Sequence, residues 1–90
     1  MIFGIFRISG HSMTPTLKPN DRVFVSSIPY YFSKPKIGDI IVFKYNSKIM
    51  IKRIKKISSD EFLVEGDNKK DSLSVGRIER SQIIGKCILY

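Results

Sequence analysis

A serine in a turn and a lysine in an apolar segment are the two residues of this chain best suited to covalent chemistry. Ser12 lies in residues 10–17 (Gly-His-Ser-Met-Thr-Pro-Thr-Leu), and Lys52 lies in the apolar residues 49–54. A serine hydroxyl is a weak nucleophile until an adjacent base accepts its proton. A lysine acts as that base only where its surroundings keep the amine neutral. The pair predicts a serine peptidase with a Ser/Lys dyad.

The residues around Lys52 indicate how its amine would become neutral. Alternate residues of a strand share a face, so Met50 and Ile54 are expected to flank Lys52. Burial disfavours the ammonium form and lowers the pKa of a fully buried lysine by as much as about 3–5 units. A surface lysine on an amphipathic strand is the alternative, because Lys55 and Lys56 follow closely. Which face of the strand is buried decides between the two interpretations.

Four sequence boxes follow one another in an order that resembles the type I signal peptidases. Residues 10–17 resemble their nucleophile motif, G-X-S-M-X-P-T-L, and residues 35–43 resemble the next box, a Gly-Asp pair before an apolar strand. Residues 51–54 resemble the box with the general-base lysine, and residues 66–76 begin with the Gly-Asp-Asn of the closing box. The resemblance implies a mostly antiparallel β fold in which this serine is the nucleophile and this lysine the base.

The nucleophile turn also contains the predicted oxyanion site. Gly10 opens the turn, so that backbone N–H groups, among them that of Ser12, are expected to point at the oxyanion of a tetrahedral intermediate. Some members of the resembled family have a serine donor where this chain has Gly10, so only backbone donors are expected here. His11 is next to the nucleophile and invites a Ser-His interpretation. Adjacent side chains usually point apart, however, so a substrate-facing or exposed role is expected for His11.

Two methionines and the closing box complete the predicted site. Met13 is expected to pack beneath the turn and, with Met50, to shape the substrate groove. In the resembled family the closing box supplies a serine that orients the lysine and a D-S-R triplet that supports the site. Here Asp71 and Ser72 are followed by Leu73, and the preceding loop is short. Asp71 is a candidate for site support; either Ser72 orients the lysine, or no side chain does.

Short strands separated by turns must position these residues. The candidate strands are rich in Val, Ile, Phe and Tyr, and Pro, Gly, Asn, Asp and Ser cluster between them. The pattern predicts a single all-β domain over residues 1–90, a small, mostly antiparallel and barrel-like sheet that is closed or partly open. The six candidate strands are residues 2–8, 21–26, 39–45, 48–57, 61–66 and 82–89.

Composition limits the classes of protein to which the chain could belong. With 90 residues, 42% of them hydrophobic, it is near the lower limit for a self-sufficient core. Residues 1–8 are apolar but much shorter than the roughly 20 residues of a membrane-spanning helix, so a first strand is expected. The single Cys87 excludes an intramolecular disulfide and offers no metal cluster. No cofactor and no metal are expected.

The net charge of +8 permits attraction to phosphates and keeps a rival of another class open. That rival is a non-catalytic basic β-barrel that binds nucleic acid, with Tyr30, Tyr31 and Phe32 stacking on bases. The charges are spread along the chain, so no nucleic-acid partner is expected. The aromatic cluster beside Pro29 is equally typical of a packing or substrate-binding segment.

The function expected from these observations is a serine endopeptidase that removes a short N-terminal extension or signal-like segment from a precursor protein. The anchorless form of 90 residues resembles the nickel-type superoxide dismutase maturation proteases of the same family. That resemblance implies a nickel superoxide dismutase precursor as the partner and a cytoplasmic location. A membrane-associated signal peptidase is the nearest alternative, with membrane contact but without a transmembrane helix.

Overall fold

The computed structural model describes residues 3–70 and 76–90, and nearly all of its regular secondary structure consists of strands. Within these residues, no helix is long and apolar enough to cross a bilayer. The elements are β1 Phe3–Arg7, β2 Arg22–Ser26, α1 Pro29–Phe32, β3 Ile40–Tyr45, β4 Lys48–Ser58, β5 Glu61–Glu65, β6 Gly76–Glu79, a 3₁₀ turn Arg80–Gln82, and β7 Ile83–Leu89.

The seven strands form one antiparallel sheet in the order β1-β2-β7-β3-β4-β5-β6. The all-β, mostly antiparallel prediction is therefore confirmed. The barrel does not close among the described strands, because β1 and β6 are the two edges and do not pair with each other. Register shifts between β2 and β7, β3 and β7, and β4 and β5 mark irregular positions where sheets bend and twist more strongly.

Two elements differ from the sequence prediction. Strand β6 was not predicted, because its four residues, Gly-Arg-Ile-Glu, are too few to show an alternating pattern. Its extended conformation comes from pairing with β5, a tertiary contact that overrides local preference. The helix α1 is a single turn that begins at Pro29, whose fixed φ suits the first helical position. Tyr30 is the buried residue of that turn.

Apolar residues cover both faces of the central strand β3. Ile40 and Val42 belong to one buried cluster, whereas Ile41 and Phe43 belong to a second cluster. Because successive side chains of a strand point to opposite faces, the two clusters lie on opposite sides of β3. The continuous apolar sequence of β3 is therefore a consequence of burial on both faces, and β3 is the best-protected support for the neighbouring strand β4.

Close packing at Gly85 brings β7 against β2. A Cβ built at Gly85 would lie 2.8 Å from the carbonyl oxygen of Ser26 and 2.9 Å from Cγ1 of Val25. Real Cβ atoms do not approach so closely, so any larger residue would push the strands apart. This contact fixes β2, and through β2 also β1, relative to the centre of the sheet.

Strand β4 is the longest, and its two halves have different neighbours. All of residues 48–53 pair with β3, but pairing with β5 begins only at Arg53. In the described sheet, residues 48–52 therefore have one edge that no strand covers. The end of β1 and the residues after it line the same groove as this edge. The candidate site lies in that groove.

Candidate active site

The turn that contains Ser12 depends on a glycine and on two buried side chains. Gly10 has a φ of +79°, in the left-handed region that favours glycine, and no atom within 4 Å would meet a Cβ there. The backbone conformation, not lack of space, therefore requires glycine. Met13 and Leu17, 2% and 1% exposed, anchor the following residues in an apolar cluster. Their backbones are joined by a 2.8 Å hydrogen bond from the Leu17 N–H to the Met13 carbonyl.

Lys52 lies in the middle of β4 and is 4% exposed. It is paired directly with Ile41 of β3, so the two side chains share a face of the sheet. Ile54, on the same face, is fully buried, whereas Lys55 and Lys56 are exposed. The buried face of β4 is therefore the one that carries Lys52, as the base interpretation requires. An ammonium group in this position is disfavoured by the loss of solvation.

A groove of about 500 Å³ contains both residues of the predicted dyad. Ser12 and Lys52 both line it, and so do Met13 and Met50, the residues predicted to shape a substrate site. One wall consists of the end of β1 and the residues after it, and the other consists of the uncovered half of β4. A hydrogen bond between Ser12 Oγ and Lys52 Nζ stays a prediction. The full lining is Phe6, Arg7, Ile8, Ser9, Ser12, Met13, Lys48, Ile49, Met50, Ile51 and Lys52.

The Gly-Asp-Asn segment at residues 66–68 is bonded directly to the nucleophile turn. The backbone N–H of Asn68 donates to the carbonyl of Ser12 at 2.8 Å. The side-chain amide of Asn68 donates to the carbonyl of His11 at 2.9 Å and to Oγ1 of Thr14 at 3.0 Å. Thr14 in turn donates through Oγ1 to the His11 carbonyl at 2.9 Å. Asn68 thus holds Ser12 and its neighbours in the turn, His11 before it and Thr14 after it, by hydrogen bonds.

Asp67 connects that segment to the strand that carries the lysine. Nε and Nη2 of Arg53 each donate to a different carboxylate oxygen of Asp67 at 2.8 Å, and Oγ1 of Thr16 donates to the same carboxylate at 2.7 Å. Hydrogen bonds from Arg53 are the main cause of a lowered pKa at Asp67, and the same bonds raise the pKa of Arg53. Arg53 also donates from Nη1 to the Gly38 carbonyl at 2.8 Å. The neighbour of Lys52 is therefore linked to the nucleophile turn through one carboxylate.

Sequence reasoning missed these partners although it had identified the segment. The Gly-Asp-Asn segment was recognisable as the start of a closing box. Its partners were not, because Thr16, Thr14 and His11 are each more than 50 residues away from Asp67 or Asn68 in the sequence. No local pattern encodes such pairings. Asp71 and Ser72, the predicted support residues, lie outside the described residues, and so does Leu73. Their roles stay predictions.

Cys87, His11 and the aromatic cluster of residues 30–32 are the other residues considered for chemistry or binding. The thiol of Cys87 is buried, and burial raises its pKa to about 12. Tyr30, Tyr31 and Phe32 line a second pocket of about 410 Å³, which shares no lining residue with the groove. His11 is exposed. Within residues 3–70 and 76–90, no cluster of three or more His, Cys, Asp or Glu residues suitable for a metal ion is found.

Comparison with known proteins identifies relatives of this chain. Signal peptidase I of Leptolyngbya laminosa is 28% identical over 132 aligned positions, which take in 91% of this chain and 65% of the relative. Signal peptidase I of Bacillus amyloliquefaciens is 32% identical over 66 residues, covering 73% of this chain and 36% of the relative. A probable signal peptidase I-1 of Synechocystis is 50% identical over 36 residues, covering 40% and 18%.

The chain thus spans about two thirds or less of the length of these relatives. The first alignment is longer than the chain itself, so that relative has inserted residues within the matched region. The family model described as signal peptidase, peptidase S26, matches residues 1–61, which include both Ser12 and Lys52. This chain belongs to the signal peptidase family, peptidase S26.

Proposed function

We propose that this chain is a serine endopeptidase in which Ser12 is the nucleophile and Lys52 the general base. One observation carries the proposal: a serine on a glycine-opened turn and a buried lysine line the same groove in a member of a peptidase family. Neither residue alone would indicate catalysis, because serines are common in turns and lysines are common in strands. A buried lysine that lines the same groove as a candidate nucleophile supports the proposal, because burial favours the unprotonated amine that a base needs.

The proposed reaction is acyl transfer through a covalent intermediate. Lys52 Nζ accepts the proton of Ser12 Oγ as that oxygen forms a bond to the carbonyl carbon of the substrate. The resulting tetrahedral intermediate collapses, and the C–N bond breaks as the protonated Lys52 gives its proton to the leaving amine. Water then attacks the acyl-enzyme with Lys52 again as base, which releases the acid product and restores Ser12.

The backbone around Ser12 is the proposed site for the oxyanion. Among the described residues, no acceptor is hydrogen-bonded to the Ser12 N–H, whereas its carbonyl accepts from Asn68. The turn is therefore fixed through the carbonyl of Ser12. The N–H of Ser12 remains available to donate a hydrogen bond to the oxyanion of the substrate. Losing one such donor in other enzymes costs on the order of 10²–10³ in rate.

The uncovered edge of β4 is the proposed site for the substrate backbone. Residues 48–52 have one edge without a strand partner in the described sheet, and this edge borders the groove that contains Ser12. A peptide added to a strand edge gains affinity from main-chain hydrogen bonds, and side-chain pockets add specificity. Met13 follows Ser12 directly, and Met50 lies two residues before Lys52, on the same face of β4. Both line the groove, so we propose that they restrict the residue before the cleaved bond to small side chains.

The proposed substrate is a precursor protein that loses a short N-terminal extension or signal-like segment. A finer hypothesis names the precursor of a nickel-type superoxide dismutase, processed in the cytoplasm. The relatives described above have signal peptidase names, so the finer hypothesis is supported only by the resemblance in size and form given under Sequence analysis. A product that appears only in the membrane fraction would contradict it and favour the membrane-associated alternative.

Co-expression with a candidate precursor tests the proposal. The nickel superoxide dismutase precursor and a secretory precursor are each expressed with the wild-type chain, Ser12→Ala or Lys52→Arg, and the N-terminal residue of the product is determined by mass spectrometry. We expect processing by the wild type and none by either variant. Ser58→Ala and Lys56→Arg, at exposed positions of β4, are the matched controls and should process normally. Equal processing by wild type and Ser12→Ala would end the peptidase proposal.

A further inference from the structure

The groove that contains Ser12 has a basic residue on each wall and no carboxylate in its described lining. Arg7, at the end of β1, lines one wall, and Lys48, at the start of β4, lines the other. Both are exposed, unlike the buried Lys52 that also lines the groove. The remaining lining is apolar apart from Ser9 and Ser12.

These two cations are not neutralised by the part of the protein that the structure describes. The ion pairs formed among residues 3–70 and 76–90 involve Arg53, Arg77 and Lys86, and neither Arg7 nor Lys48 takes part in one. A concave site lined by charge of one sign concentrates its potential and attracts groups of the opposite charge. A peptide bound in the groove would therefore be exposed to its positive potential.

We propose that the groove selects precursor segments that carry an Asp or Glu about three to five residues from the cleaved bond. The inference rests on the proposed peptidase function and adds the charge of its substrate. Complementary charge fixes the register of a bound chain and disfavours partners of like charge. A segment with Lys or Arg at that distance is therefore disfavoured relative to one with a carboxylate.

The spacing follows from the position of Lys48 on β4. Lys48 precedes Lys52 by four residues, which corresponds to about 13 Å along a strand at about 3.3 Å per residue. A substrate strand along the uncovered edge advances by the same amount per residue. With its cleaved bond level with Lys52, its fourth residue along the groove lies level with Lys48. Arg7 lines the opposite wall of the same groove and adds a second positive charge to it.

The size of the effect follows from the exposure of both cations. Exposed ion pairs change binding by roughly two- to fivefold each, and salt weakens them. Two cations acting on one carboxylate should therefore give about tenfold discrimination in kcat/KM between Glu and Lys at the selected position. The discrimination should decline between low salt and about 0.5 M salt, because the Debye length falls below 10 Å.

A peptide library separates this inference from the proposed function. A proteome-derived peptide mixture is digested with wild type, with Arg7→Glu/Lys48→Glu, and with Ser12→Ala as the blank, and the new ends are sequenced by mass spectrometry. A preferred sequence is then synthesised with Glu or Lys at the selected position for measurement of kcat/KM. Lys44→Glu/Lys56→Glu is the matched control, because both lysines are exposed, lie outside the groove lining and change the net charge equally.

We expect acidic residues to be enriched about three to five residues from the cut with wild type and with the control variant. The groove variant should prefer Lys or Arg there, with a shift of about tenfold or more in the Glu-to-Lys ratio. Cleavage without an acidic preference, or a preference that Arg7→Glu/Lys48→Glu leaves unchanged, overturns the inference and leaves the peptidase function standing. Cleavage no greater than that of Ser12→Ala overturns both.

Discussion

Ser12 and Lys52 line one groove, but two different kinds of structure hold them there. Ser12 is on an irregular turn whose peptide groups are fixed by polar contacts with Asn68. Lys52 is inside a regular strand, paired with β3 and buried on an apolar face. The turn depends on a few specific hydrogen bonds, whereas the strand depends on many contacts that no single side chain controls. Substitutions around Ser12 should therefore change the position of its hydroxyl, whereas substitutions around Lys52 should change the protonation of its amine.

The Arg53–Asp67 pair connects the strand that carries Lys52 to the segment that supports the Ser12 turn. Arg53 follows Lys52 on the strand, and Asp67 precedes Asn68 on the segment that contacts the turn. Thr16, near the end of the turn, donates to the same carboxylate. Loss of this pair should loosen both supports together, while loss of Asn68 should loosen only the turn. The following variants separate these contributions.

The largest effect is expected from a substitution of Lys52, the proposed base. Lys52→Arg keeps a basic side chain of similar length, but arginine is not deprotonated at working pH. We expect activity to fall by a factor on the order of 10³ or more, as when catalytic groups that act as a unit are lost. If Lys52 is the base, wild-type activity should rise with pH as its ammonium group loses a proton, because only the neutral amine accepts the proton of Ser12. Initial rates of peptide cleavage, determined between pH 5 and 10 for the wild type and the variant, measure both the loss of activity and the pH dependence. Retention of most activity by Lys52→Arg would remove Lys52 from the mechanism.

The next largest effect is expected on stability from Asp67→Asn. The substitution weakens a bidentate, charge-assisted pair, and we expect the free energy of unfolding to fall by about 1.5–3 kcal/mol. Because Arg53 lowers the pKa of Asp67, the folded state binds fewer protons than the unfolded state. The stabilisation is complete above the ordinary pKa of about 3.9 and is lost as pH falls through the lowered value. Urea unfolding at pH 7 and at pH 3 should show that Asp67→Asn lacks this acid-dependent part.

The exposed pair of Arg77 and Glu61 supplies the control for that measurement. Its charged atoms are 3.6 Å apart, and both side chains are more than half exposed. Glu61→Gln should change the free energy of unfolding by less than about 1 kcal/mol. If Glu61→Gln and Asp67→Asn have equal effects, the Arg53–Asp67 pair is not the link between the strand and the turn.

Strand β4, which carries Lys52, could be predicted from sequence because its determinants are local. The alternation of Met50, Lys52 and Ile54 identified the face that carries the lysine, and the apolar residues 40–43 identified the strand beside it. The all-β class followed from the same kind of pattern. Lys52 is buried because it lies on the inward face of β4 and because the adjacent strand, β3, is apolar on both faces.

The support of the turn could not be predicted, because its determinants are far apart in the chain. Asn68 reaches the carbonyl of His11 across 57 positions, through a backbone oxygen that every residue type possesses. The short strand β6 was missed for a related reason, since pairing with β5 creates it. Hydrophobic patterns encode which residues are buried, whereas they contain no information on which polar groups meet. The uncovered edge of β4 likewise became visible only in the sheet pairing.

A smaller, purely catalytic effect is expected from Asn68→Ala. The variant loses the amide hydrogen bonds to the His11 carbonyl and Thr14 but keeps its own backbone N–H bond to Ser12. We expect kcat to fall about tenfold through misplacement of the nucleophile, with KM changed less than about twofold. Asn68→Asp should be no better, because a carboxylate cannot donate to the His11 carbonyl. Lys69→Ala, an exposed neighbour, is the control. A fall in stability with unchanged kcat would mean that Asn68 only stabilises the fold.

The smallest effect is expected from His11→Ala, although His11 is adjacent to the nucleophile in sequence. The His11 carbonyl accepts hydrogen bonds from the Thr14 backbone, Thr14 Oγ1 and Asn68. Alanine supplies the same carbonyl, and within the described residues the imidazole forms no hydrogen bond of its own. The side chain is also exposed, so its removal leaves no cavity. We expect kcat/KM to change by less than about threefold and the pH profile to keep its shape, because adjacent side chains seldom reach the same reacting atom. A loss of a hundredfold or more, with a normal amount of folded protein, would transfer the role of base from the strand to the turn.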